Sequence, residues 1–277
     1  MKPIKVAYPS IDVGYLPAFV AQAKGIFKKQ GLEVVLVETQ GARKGVEELL
    51  KGKVQFIMTI GPALRAIQQG ALKVLVGMTG MPAFSLIVRR GINTVEELRG
   101  KKIGVSSGGM TFALIHELFR RNGLQSGDVS YVNIPGSTPK LKALRNGSIA
   151  AALLPSPRDF EAIKGGLRPL VFLENVMSDL RFTGLIAKAD YNENKRPIVQ
   201  RMVDAIVEAV KVTRNDPGAA IRVMQDRFKI SADVASASYR LVQESLSPDF
   251  TQAHFENMAE ILSNLPELKV QRKSGKR

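Results

Sequence analysis

Apolar residues in this chain recur with two different periods. Up to about residue 187, apolar runs of strand length alternate with stretches whose apolar positions fall three or four apart. Beyond it only the helical spacing persists. The first runs lie at 6–8, 32–37, 54–58 and 73–76. Between them, Pro17 opens a helix that places Phe19, Val20, Ala23 and Phe27 on one face and ends at Gly31. A short helix at 46–51 closes at Gly52, and Pro62 opens another. This βαβαβ rhythm predicts a mostly parallel sheet covered on both faces.

The rhythm then restarts. Strands are predicted at 84–88, 102–105, 129–132, 149–153 and 169–173. Helices fall at 111–121, from Thr138 to Gly147, and at 158–164, and Thr94 with Glu97 reads as a capping box for a short helix. A strand at 182–187 precedes helices at 196–214, 217–228, 232–244 and 252–262, the first carrying Val199, Met202, Val203, Ile206 and Val210. The two halves echo each other, since residues 48–56 resemble 143–151, each a helix end, a glycine and an apolar run. Two similar lobes are therefore expected: 1–83 with 184–277, and 84–183. Hinge crossings would fall near Met81-Pro82 and 181–183.

In parallel sheets, ligands bind at the carboxyl ends of strands. The candidate positions there are Ser10, Asp12 and Tyr15; Thr59 and Gly61; Met81; Ser106, Ser107, Gly108, Gly109, Met110 and Thr111; and Pro155 and Ser156. The turn at 106–111 is the most informative. Glycines there allow close backbone approach, and free amides at a helix start favour an anionic or acceptor group. The same turn would also serve as a plain serine cap, and Asp12 as a plain helix cap.

Several segments then resemble periplasmic solute-binding proteins of the nitrate/sulfonate/taurine and thiamine-pyrimidine-precursor group. They are "LPAFVAQAKGIFKKQGLEVVLVE", "GVEELLKGKVQFIM", "VRRGINTVEELRGKKIGVSSGG" and "KLKALRNGSIAAALLPSP". The resemblance implies a two-lobed periplasmic-binding-protein fold (type II, Venus-flytrap). That is an α/β architecture with mostly parallel sheets and a helical C-terminal part. It also implies a small-molecule ligand in an interlobe cleft and delivery to the membrane permease of an ABC transporter. The family often carries an acid three residues after the helix-ending glycine, where Gln55 and Ala150 stand here.

Composition narrows the chemistry. The chain has no cysteine, which removes disulfides, thiolate metal sites and cysteine nucleophiles. A net charge of +15 raises nucleic acid as a partner, but the basic residues are dispersed apart from the run at 269–277. With 6% aromatics and no Trp there is no base-stacking platform, so no nucleic acid is expected. His116 and His254 lack a second ligand at metal spacing, and no Ser-His-acid signature occurs. No metal, cofactor or catalytic residue is expected. The alternative is an enzyme on the same bilobal fold, of the pyrimidine-synthase or menaquinone-lyase kind. A regulator's sensing domain would normally follow a DNA-binding helix-turn-helix, whereas this chain starts on its first strand. The ligand expected is an organic acid, a sulfonate or a heterocycle. The protein is expected to be a monomer outside the cytoplasm, its signal peptide already removed.

Overall fold

The computed structural model describes residues 3–39, 41–80, 83–106, 110–176 and 181–263. The strands are β1 (Ile4–Tyr8), β2 (Val34–Glu38), β3 (Phe56–Ile57), β4 (Leu72–Thr79), β5 (Phe84–Val88), β6 (Lys102–Val105), β7 (Ser130–Asn133), β8 (Ala151–Pro155), β9 (Arg168–Phe172) and β10 (Thr183–Lys188). The α-helices are α1 (Leu16–Ala23), α2 (Ile26–Lys29), α3 (Ala42–Leu50), α4 (Leu64–Gln68), α5 (Met110–Arg121), α6 (Ser137–Arg145), α7 (Arg158–Lys164), α8 (Ala189–Asn194), α9 (Arg196–Asn215), α10 (Pro217–Phe228), α11 (Ala232–Val242) and α12 (Gln252–Ser263). They form two compact units. Met1–Ala83 joins Met177–Met258 in one, and Phe84–Val176 joins Ala259–Arg277 in the other.

Each unit holds one five-stranded sheet. The orders are β2-β1-β3-β10-β4 and β7-β6-β8-β5-β9. In the first, β1 pairs in parallel with β2 and β3, while β10 runs antiparallel between β3 and β4. In the second, β6 pairs in parallel with β7 and β8, while β5 runs antiparallel between β8 and β9. The two sheets therefore have one topology. Four strands run the same way, and a fifth, reversed strand is inserted beside the last. The parallel rhythm holds in strand direction, but the rhythm missed the reversed strand that separates β3 from β4 and β8 from β9. That strand is the first sheet strand after the chain passes from one unit to the other. It does not arrive through a helical crossover, so nothing forces it parallel.

The sequence echo has a structural counterpart. Gly52 and Gly147 both take positive φ, at 70° and 78°, where a Cβ would be strained. The runs that follow pair with the first parallel strand of each sheet, Val6 with Phe56 and Ile103 with Ala151. Where an acid was expected after Gly52, the Gln55 side-chain carbonyl accepts from the Lys5 amide at 2.9 Å. It thereby satisfies a backbone donor at the start of β1.

Local differences have local causes. The predicted helix from Pro17 to Gly31 breaks into α1 and α2 because Gly25 adopts φ 71°. The strand expected at 54–58 pairs only over Phe56–Ile57. The expected capping box yields a single 3-10 turn, Glu96–Leu98, and Glu97 accepts from the Asn93 amide rather than from Thr94. The apolar stripe of α9 is buried at Val199, Met202, Ile206 and Val210, as the spacing predicted. In the second unit, Ile87, Leu141, Leu144, Ile149 and Leu154 pack into one cluster under α6 and α7. Full burial of each such side chain stabilises by about 1.5–3 kcal/mol.

Candidate functional site

The carboxyl edge of each sheet is where its four codirectional strands finish and its reversed strand begins. In the first unit this edge carries a compact polar cluster. After β1, the Asp12 carboxylate caps the 3-10 turn Val13–Tyr15 by accepting from the Gly14 amide at 2.8 Å. Thr183, which opens β10, donates its hydroxyl to the Gly14 carbonyl at 3.0 Å and shares a 2.6 Å hydrogen bond with Thr79 at the end of β4. Asp12, Tyr15, Thr59, Thr79 and Thr183 are all buried. Burial, then the Asp12 charge, raises the Tyr15 phenol well above its ordinary pKa, while a hydrogen bond with Thr59 opposes both. Gly61 is buried at the start of the next 3-10 turn, and Ser10 is half-buried. The Arg181 guanidinium lies against Gly80, and its Nε stands 3.4 Å from His254 Nε2.

In the second unit, Ser106 follows β6 half-buried, and Thr111 sits half-buried in the first turn of α5. Met81, Ser107, Gly108 and Gly109 lie outside the described residues, as does the side chain of Met110. Pro155 ends β8 and Ser156 is fully buried. Two residues at this edge were not singled out from the sequence. Ser85 in β5 donates to Asp159 Oδ2 at 2.7 Å, and Asp159 Oδ1 accepts from the Phe160 amide at 2.7 Å. Asp159 is wholly buried, which pushes its carboxyl up to about 7, the two hydrogen bonds opposing and the charge of Glu174 adding to the rise. Ser156 lies near enough to favour the ionised form, yet its Oγ makes no hydrogen bond of good geometry among the described residues.

The third unanticipated residue is Lys140, on α6. It is only 4% exposed, and it makes no hydrogen bond or ion pair among the described residues. Burial lowers its ammonium to about 8. In sequence it sits in a Lys-Leu-Lys triplet, and nothing there marks it as different from the exposed Lys142.

Hydroxyls do meet bases near these edges: Ser85, itself fully buried, donates to Asp159, and Thr251 Oγ1 lies 3.0 Å from His254 Nδ1. His116 Nε2 also meets Ser126 Oγ at 2.8 Å, but at the far end of α5 from the carboxyl edge. The neighbouring Glu117 is held down to about 2, first by hydrogen bonds from Arg120 and further by Arg121, and both its oxygens are engaged by these guanidinium groups. No group of three or more His, Asp or Glu side chains that could hold a metal ion occurs among the described residues. A recess of 260 Å³ in the first unit lies at the opposite edge of the sheet, against Gln55, Lys188 and Tyr191.

Residues 13–220 match the family described as NMT1/THI5 like. The chain belongs to the NMT1/THI5-like family. A Haemophilus influenzae protein named for thiamine biosynthesis is 30% identical over 128 residues, which span 45% of this chain and 41% of that protein. Among solved structures, the ligand-binding component of an ABC-type import system from Staphylococcus aureus superposes with TM-score 0.82 at 16% identity, over 95% of this chain and 91% of that one. The periplasmic aliphatic sulphonate-binding protein SsuA from Escherichia coli gives TM-score 0.78 at 19% identity, over 95% and 86%. The desulfurization enzyme DSZB gives 0.71 at 17%, over 94% and 91%. These likenesses are of fold. This NMT1/THI5-like chain has the α/β fold of the periplasmic binding proteins, and no described helix is long and apolar enough to cross a membrane.

Proposed function

We propose that this protein is a non-enzymatic solute-binding protein that takes up a small organic molecule at the carboxyl edges of its sheets. It hands that molecule, outside the cytoplasm, to the permease of an ABC transporter. The observation that carries the reading is that the two units hold sheets of one topology, whose carboxyl edges carry the hydroxyls of Thr59, Thr79 and Thr183 in one and of Ser156 in the other. Such edges offer hydroxyls and backbone amides, which fix the orientation of a small ligand. The import-system component and the sulphonate-binding protein with the same fold support the class.

A ligand that binds only the folded chain raises the unfolding free energy by RT ln(1 + [L]/Kd), about 2.7 kcal/mol at a hundredfold excess over Kd. A thermal-shift panel of organic acids, sulfonates, pyrimidines and flavins is expected to contain a compound that raises the Tm in this way. A panel without any shift would count against solute binding. The shared fold of a desulfurization enzyme supports a second reading, that of an enzyme. Mass spectrometry of the stabilising compound after prolonged incubation separates the two: recovery unchanged supports binding, and conversion supports catalysis.

A further inference from the structure

A sheet edge is a row of unpaired backbone donors and acceptors, and folded proteins cover or blunt it because any extended chain can pair there. Each of the two sheets has two such edges, and all but one are treated in that way. β4 is covered by the segment that follows α11. The amides of Gly77 and Gly80 donate to the carbonyls of Pro248 and Ser245 at 2.8 and 2.7 Å, and the Ser247 amide donates to the Met78 carbonyl at 3.2 Å. β9 opens on the exposed Arg168 and carries Pro169, and β7 begins and ends on the exposed polar residues Ser130 and Asn133. The remaining edge, β2, has none of these devices. It reads Val-Val-Leu-Val-Glu, without proline, glycine or lysine, and pairs with β1 without a register shift.

The free groups of β2 can be assigned residue by residue. The Ile4 amide donates to the Glu33 carbonyl, and the Thr39 amide donates to the Tyr8 carbonyl. In a parallel ladder alternate residues turn both backbone groups to the same neighbour, so Glu33, Val35 and Val37 face β1. Val34, Leu36 and Glu38 therefore point their amides and carbonyls away from the sheet, where they have no partner among the described residues. Val35 is 43% exposed, more than any other large apolar side chain among the described residues.

This edge is complementary to itself. About a two-fold axis at Leu36, a second β2 runs antiparallel. Leu36 then exchanges both hydrogen bonds with its own counterpart, and Val34 does so with Glu38 of the other copy. On one face Leu36 meets Leu36. On the other Val35 meets Val37, in the closer pairing that suits β-branched side chains. The same register sets Glu33 opposite Thr39, just ahead of α3, whose first turn holds no acid and carries the exposed Arg43 and Lys44. None of Glu33, Arg43 and Lys44 makes an ion pair within its own chain among the described residues. A net charge of +15 opposes association of two copies, and Glu33 and Glu38 lower that repulsion at this edge.

We propose that β2 is the seam of a homodimer, formed by antiparallel pairing with β2 of a second copy into one continuous sheet. This departs from the monomer expected from the sequence, and it is independent of the ligand that the chain takes.

Sedimentation equilibrium of the whole chain, from micromolar to about millimolar concentration, tests the proposal. The mass is expected to rise from that of one chain toward that of two. Val35→Lys puts a charge in the seam, on a side chain that is exposed in the single chain. It should weaken association about tenfold or more and leave the Tm at low concentration unchanged. Val176→Lys, comparably exposed but in the other unit, should associate like the wild type. Hydrogen exchange read by NMR needs no variant. As concentration rises, the amides of Val34, Leu36 and Glu38 should slow, while those of Val35 and Val37 are protected throughout by β1. A single-chain mass at every concentration would leave the edge to a strand of another protein and overturn the proposal. Association unchanged by Val35→Lys, or free exchange of the three outward amides in the dimer, would overturn it too, by placing the interface elsewhere.

Discussion

Asp159→Asn is expected to make the protein more stable at pH 8 and to abolish a decline in stability that the wild type shows as pH rises from about 4 to about 7. Asp159 has a folded-state pKa of about 7 against an ordinary 3.8, with burial as the largest cause. Between those values the folded chain holds a proton that the unfolded chain has released. Stability then falls as pH rises, by at most about 1.4 kcal/mol per pH unit from this group, and levels off above its folded pKa. Asparagine keeps the size and an acceptor oxygen but does not titrate. Urea unfolding of both proteins at pH 5, 6, 7 and 8 isolates the effect, because every other titrating group is common to the pair. Parallel pH dependences would mean that the carboxylate is not desolvated as its burial indicates. Asp159→Ala should behave differently. It leaves the Ser85 hydroxyl and the Phe160 amide without their acceptor, a loss of about 1–3 kcal/mol that persists at pH 5.

Gly14→Ala is the second substitution with a large expected effect. A Cβ at this position would stand 2.7 Å from Thr183 Cγ2, 3.2 Å from Asp12 Oδ1 and 3.3 Å from Thr79 Oγ1. The obstacle is space rather than φ, and the atoms in the way belong to the polar cluster itself. Relief requires Thr183 to move, which strains its bonds to the Gly14 carbonyl and to Thr79. Overpacking of this kind costs about 1–3 kcal/mol, and each kcal/mol lowers the Tm by about 2–4 °C in a chain of this size. Gly127→Ala is the control, since nothing lies within 4 Å of its added Cβ, and it should change the Tm little. Adding Thr183→Ser to Gly14→Ala removes Cγ2, keeps the hydroxyl and should restore much of the loss. Calorimetry that finds Gly14→Ala melting with the wild type would show that the cluster yields freely.

Much of the architecture was legible because it depends on local chemistry. Pro17, Pro197 and Pro217 stand at helix starts, where the missing amide would be unpaired in any case. Gly52 and Gly147 mark helix ends because only glycine takes the required φ without strain. The order of strands was not legible. β5 and β10 look like any other buried strand in sequence, and their reversed direction follows from where the chain comes from. Of the candidate site residues, Asp12 does what its alternative reading allowed, capping a short turn. Asp159 and Lys140 were missed for a shared reason. A single Asp or Lys near a helix start reads as surface, and only tertiary packing reveals that it is buried. The helix starts read at Thr138 and at residue 158 lie just ahead of Lys140 and Asp159, but helix starts are too common to single out an ammonium or a carboxylate.

The inserted reversed strands also impose an order of assembly. β4 has β10 as its sheet partner, so the sheet of the first unit has a gap until residue 188 has been made. The sheet of the second unit is encoded without interruption between Phe84 and Phe172. As the ribosome delivers the chain from its amino end, the later-starting unit is therefore the first that can close its sheet. β1 to β4 must wait, with the edges of β3 and β4 unpaired and open to other chains. Pulsed hydrogen exchange during refolding of the whole chain is expected to protect Leu86 and Ala152 before Ile57 and Val74. Simultaneous protection of all four would mean that β10 reaches its slot as fast as the local strands of the second sheet pair.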